Sequence, residues 1–180
     1  MPVSLHRPLS RRGRLAAALT AGALTLTLAG QAASAATPSP ATAAADAKAV
    51  YNLINKERAA HAERQLRWRD SLASVAHKHN LLMAKYNELT HRLPGEPTFG
   101  AEVTAAGYRW RSVGENIGFN SDWSRAGVLT LERLMYNEKP PNDAHRRNIL
   151  NRAFWAVGVD VYMDAKHHKA WLTEVFAQPA

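Results

Sequence analysis

The sequence predicts an α+β domain, and three observations carry that prediction. Apolar residues recur at helical spacing over residues 46–61, 70–86 and 124–137. Residues 110–119 lean toward a strand, and residues 155–175 alternate apolar and polar on both sides of a polar turn. There is no cysteine, so the fold must be held by its core rather than by disulfides.

The first 35 residues are read as a leader and set apart from the fold. Arg7, Arg11, Arg12 and Arg14 form a basic start without acids, Leu15 to Gly30 is an Ala- and Leu-rich run, and Ala33-Ser34-Ala35 offers the small residues of a cleavage site. The run is interrupted by threonines and glycine and falls short of the roughly 20 apolar residues of a membrane span. Residues 1–35 are therefore expected to be a signal peptide, with general secretion favoured over the twin-arginine route. The mature chain is expected to lack a transmembrane segment and to be secreted, with wall association open. Residues 36–45, with Thr-Pro-Ser-Pro and alanines, are expected to be a disordered linker, and residues 46–180 the domain.

Within the domain, Val50, Leu53 and Ile54 mark a first helix to about His61. Leu66 and Trp68 form a short extended link, and Asp70 is placed to cap a second helix. That helix has the clearest stripe: Leu72, Val75, Ala76, His79, Leu82, Met83 and Tyr86. His79 on this face is expected to be a satisfied core residue. His77, two positions away and about 200° around the axis, cannot share a metal with it. Residues 87–97 read as a loop from their Pro and Gly content, followed by a short helix from Glu102 to Ala106 that Gly107 ends. A strand from Trp110 to Phe119 contains Gly114-Glu115-Asn116-Ile117. A third long helix, Ser124 to Asn137, is expected to bury Val128, Leu131, Leu134 and Met135, with Glu138 continuing that face. Pro140-Pro141 stops it, and Asn142 or Asp143 can cap a short helix through Asn151, with His145 in its first turn. The chain closes in a hairpin, with Trp155, Val157, Val159 and Val161 on one side and exposed His167 and His168 in the turn.

Charge and composition exclude several classes. The formal charge is +8, but the leader holds 4 of the 23 basic residues and none of the 15 acids, which leaves 19 against 15, or +4. That excess is ordinary for a soluble domain and makes no case for nucleic acid. Without cysteine there is no thiol nucleophile and no thiolate zinc site, so any metal must be held by His, Asp or Glu. No HExxH or GxSxG motif is present.

The motifs, taken in order, resemble one family. Leu53 to Arg58, Leu66-Arg67-Trp68, Ala76 to Met83, Thr90-His91, Ala106-Gly107-Tyr108, Gly114 to Ile117, His145-Arg146-x-Asn148-Ile149-Leu150 and Val157-Gly158-Val159 are similar to the pattern of the CAP superfamily, also called the SCP or cysteine-rich secretory protein family. The cysteine-free form resembles its bacterial branch. The resemblance implies a three-layer α-β-α sandwich with a central, mostly antiparallel sheet and a shallow cleft carrying two histidines and two glutamates, matched here by His91, Glu115, Glu138 and His145. It implies that His91 and His145 hold zinc or another divalent metal while the glutamates orient the imidazoles. Glu102 stands where the family often has arginine and is expected to face solvent.

Three functions follow from such a cleft. The first is an exported module that binds a metal and a small ligand, lipid or cell-wall fragment, acting as a monomer without turnover. The second is a metal-dependent, peptidase-like hydrolase with Glu115 or Glu138 as general base. The third is a polar cluster that only fixes helix orientation.

Overall fold

The computed structural model describes residues 39–180, so the expected signal peptide lies outside the described residues. The first element, α1 (Pro40–Ala60), starts inside the stretch expected to be a linker. Ser39 accepts a hydrogen bond from the Thr42 N–H, Pro40 sits where a missing N–H costs nothing, and the alanines that follow are the best helix formers. Composition suggested a tether, whereas capping and propensity make a helix whose inner face, Ala47, Val50 and Ile54, is buried. Strand β1 (Arg67–Trp68) leads into α2 (Asp70–Tyr86). Arg69, not Asp70, holds the cap position, and the Asp70 carboxylate instead accepts from the Trp68 indole at 2.6 Å. Then come α3 (Phe99–Ala105), β2 (Trp110–Asn120), α4 (Arg125–Tyr136), α5 (Ala144–Ile149), β3 (Ala156–Asp164) and β4 (Lys169–Pro179).

The sheet runs β1-β3-β4-β2, with β1 parallel to β3 and the other pairs antiparallel. Helices cover both faces, which makes the three-layer α-β-α sandwich. On one face Ala47, Val50 and Ile54 of α1, Val128 and Met135 of α4 and Ile149 of α5 pack on Val157, Val159, Leu172 and Phe176. On the other, Leu72, Val75 and Ala76 of α2 and Val103 of α3 pack on Ala156, Val175 and Ala177. Gly158 permits the close approach of α2, because a Cβ there would collide with the backbone of Leu72 and Ala73.

The opening motif is structural. Buried Arg58 donates to the carbonyls of Arg64, Ile149 and Asn151, pinning the end of α5 to α1, while Asn55 exchanges two hydrogen bonds with the Leu66 backbone.

Three expectations about side chains need correction. Leu134 is 63% exposed and Glu132 is buried in the α4 face instead, since the helix packs on α1 and β4 through Val128, Glu132 and Met135. Trp155 precedes β3, is half exposed, and lies under the Arg64 guanidinium at 3.8 Å. His167 is half-buried because its Nδ1 meets Asp164 at 2.6 Å, while His168 is exposed against Trp123. No helix among the described residues is long and apolar enough to cross a membrane.

Candidate functional site

His91 sits in the loop that follows α2, and the loop is held from below. Asn87 ends α2 in the left-handed conformation, where asparagine is tolerated. Two turns back, the buried His79 imidazole meets Glu96 at 2.6 Å through Nδ1 and the Thr90 carbonyl at 3.0 Å through Nε2. The other Glu96 oxygen accepts the Leu93 N–H at 2.8 Å. His79 is thus the satisfied core histidine expected, and it fixes the backbone beside His91. His77 points elsewhere, to Asp160 at 3.2 Å.

Two histidine–glutamate pairs result. His91 Nδ1 lies 2.8 Å from Oε1 of Glu115, with the imidazole 60% exposed and the carboxylate 5% exposed. The hydrogen bond to Glu115 holds the His91 pKa above its ordinary value near 6.5, against the opposing effect of burial. His145 Nδ1 lies 2.5 Å from Oε1 of Glu138. Oε2 of Glu138 accepts the backbone N–H of His145 at 3.0 Å and, at longer range, that of Arg146. Glu138 therefore caps α5 and orients the histidine in its first turn. The Pro140-Pro141 peptide, which is cis, lies between α4 and α5.

The Gly-Glu-Asn strand connects the pairs. Asn116 donates to the His145 carbonyl at 3.3 Å and to Oε2 of Glu174 at 2.9 Å, and Asn148 donates to Asn116 Oδ1 at 2.8 Å and to the Glu115 carbonyl at 3.2 Å. Three of these hydrogen bonds lock α5, with His145, onto β2, with Glu115, and the fourth ties β2 to Glu174 of β4. Each imidazole spends Nδ1 on a carboxylate, leaving Nε2 to accept or donate elsewhere. Among the described residues no three His, Asp or Glu side chains converge as a metal cage, so a cation here would have two imidazoles at most. Glu102 is half-buried with Glu96 and Glu115 close by, and burial foremost, then those two charges, raises its pKa. It adds negative potential beside Glu115, contrary to the solvent-facing expectation.

Behind the His145 pair lies a group the sequence reading missed. Glu57 of α1, Glu132 of α4 and Glu174 of β4 are all buried, and Glu132 touches both others. Oε2 of Glu57, both oxygens of Glu132 and Oε1 of Glu174 have no donor. Burial pushes Glu57 up to about 7, with the Glu174 charge adding and Arg133 and Arg146 opposing. Burial, then the two neighbouring carboxyls, lifts Glu132 well above the carboxylate range. Burial also raises Glu174, against the Asn116 hydrogen bond and the nearby His145. Oxygens of two carboxyls can stay in contact only with a proton between them. The available signal was Glu132 at helical spacing between Val128 and Met135, but a glutamate in a stripe reads as surface until its partners are known.

A sequence profile described as the cysteine-rich secretory protein family (CAP) matches residues 51–176. Among solved structures, an extracellular protein containing an SCP domain from Bacillus anthracis str. Ames superposes with a TM-score of 0.63 at 27% identity, over 75% of this chain and 41% of that one. A cysteine-rich secretory protein from Staphylococcus aureus subsp. aureus Mu50 gives 0.59 at 20% identity, over 78% and 40%. A structure of NaASP2 with Zn2+ gives 0.57 at 11% identity, over 79% and 84%. The chain spans about two fifths of the first two proteins. No curated protein sequence matches it. The profile covers more than two thirds of the chain and the sandwich agrees with it, so this protein belongs to the cysteine-rich secretory protein (CAP) family.

Proposed function

We propose that the chain is an exported binding module whose cleft takes a divalent metal, zinc foremost, through Nε2 of His91 and His145, and holds a small ligand, lipid or cell-wall fragment without turnover. The observation that carries this reading is the pairing of both imidazoles with glutamates through Nδ1. A carboxylate on one ring nitrogen fixes the tautomer and leaves the other nitrogen basic, which is how metal-binding histidines are oriented. Neutral imidazole suits zinc, and such a metal would supply Lewis acidity and open positions for water or ligand. Glu115 and Glu138 act as orienting groups in this reading. The leader-like first 35 residues and the extracellular B. anthracis neighbour support export, and the NaASP2 structure with Zn2+ supports the choice of metal.

The hydrolase reading draws less support. A general base needs a free oxygen facing water. Glu115 is buried against His91, and both oxygens of Glu138 are engaged by His145. Zinc titration by calorimetry tests the proposal: the wild type should bind, and a His91→Ala, His145→Ala double variant should lose at least about tenfold in affinity. Equal affinity in the two proteins overturns the metal site.

A further inference from the structure

Strand β2 is the end strand of the sheet, and the pairing shows which of its backbone groups are spent. The Trp155 N–H donates to the Ala177 carbonyl, so Ala177, Val175, Thr173 and Trp171 turn their backbone groups toward β3, and the residues between them turn toward β2. In the β2–β4 register Gly114, Asn116, Gly118 and Asn120 lie opposite Phe176, Glu174, Leu172 and Ala170 and make that ladder. Val113, Glu115, Ile117 and Phe119 therefore aim N–H and C=O at the outer edge. The Asn148 amide takes the Glu115 carbonyl. At Ile117 and Phe119 no group among the described residues takes them.

A groove of about 250 Å³ runs beside the same two residues and ends at Glu138 and His145. Its walls are Leu89 from the His91 loop on one side of the sheet and Leu131, Leu134 and Met135 of α4 on the other. Gly118 keeps the α4 wall close, since a Cβ there would meet Met135 and Leu131. Of the six large apolar side chains exposed on the described residues, three (Leu89, Phe119 and Leu134) stand here. The volume is below the roughly 300 Å³ of an ordinary small-molecule pocket.

We propose that this groove binds an extended, apolar peptide segment, which adds as a strand along Ile117–Phe119 and lays alternate side chains on Leu89 and on the Leu131–Leu134 wall. An open strand edge offers alternating donors and acceptors that only another backbone matches in register, and strand addition reads side chains in alternate pockets. An acyl chain would fill the apolar walls and leave the edge unpaired. This inference rests on the ligand-binding part of the reading above and is independent of the metal.

The test uses the full chain and a fluorescein-labelled heptapeptide of alternating Leu and Thr, read by anisotropy, beside the same peptide N-methylated at alternate residues. Binding to the wild type should weaken at least about tenfold on N-methylation and again in Leu134→Asp, and persist with chelator. Leu134 is exposed, so this variant should fold, which its melting curve checks. No binding by the wild type, equal binding of the methylated peptide, or a free-chain dimer in sedimentation that Leu134→Asp dissociates would each overturn the proposal. The last outcome would make a second copy the occupant. Loss of zinc binding alone would count against the metal and leave the peptide standing.

Discussion

The cleft and the carboxyl cluster behind it use the same residue type to opposite effect. At the candidate site, Glu115 and Glu138 each face an imidazole, Glu138 with backbone donors as well, and each carboxylate orients a histidine. In the interior, Glu57, Glu132 and Glu174 face mainly one another, and burial drives protons onto them. Asn116 touches both regions, through the His145 carbonyl and the Glu174 carboxyl. A carboxylate with a cationic or donor partner is a positioning group. One without such a partner, out of water, becomes an acid that must keep its proton.

The widest separation between the regions should appear in pH. A carboxyl raised in the folded state holds a proton that the unfolded chain has released above about 4.5, so folding stability falls as pH rises from there through about 7, where Glu57 titrates, and further as Glu132 is forced to ionise. Glu132→Gln removes that demand. Its melting temperature should exceed wild type by on the order of 5–10 °C at pH 8 and by far less at pH 5. Equal shifts at both pH values would show that the cluster does not store protons.

His79→Ala comes next. It strands the buried Glu96 carboxylate and should cost about 2–3 kcal/mol in denaturant unfolding. If His79 also positions the His91 loop, zinc affinity should drop with it, and unchanged zinc affinity would confine His79 to the core. Glu138→Ala removes the cap of α5 and should cost about 1 kcal/mol, with Glu138→Gln restoring most of it. A null result in both would reduce Glu138 to a surface group. His91→Ala, which leaves the Glu115 carboxylate open to water on its exposed side, should cost no more than about 1 kcal/mol while abolishing its share of zinc binding. A large loss of stability there would move His91 from the ligand-binding region into the structural one.

Much of this was readable beforehand. The stripe of α2, the Pro-Pro stop after α4 and the hairpin alternation follow from local periodicity and backbone chemistry, which act over a few residues. The motif order singled out His91, Glu115, Glu138 and His145, and the structure joins them as two histidine–glutamate pairs. The start of α1 was misread because alanine is poor in apolar bulk yet strong in helix propensity. Leu134 and Glu132 were exchanged because α4 is amphipathic only relative to neighbours, α1 and β4, that its own spacing cannot specify.

The sequence by itself determined the elements, the absence of disulfide or thiol chemistry and the set of residues able to form a cleft, because these depend on side-chain identity and short-range geometry. Tertiary structure decided which carboxyls meet a histidine and which meet only each other. It also decided which backbone groups of β2 go unspent, since burial and pairing are set by segments distant in the chain.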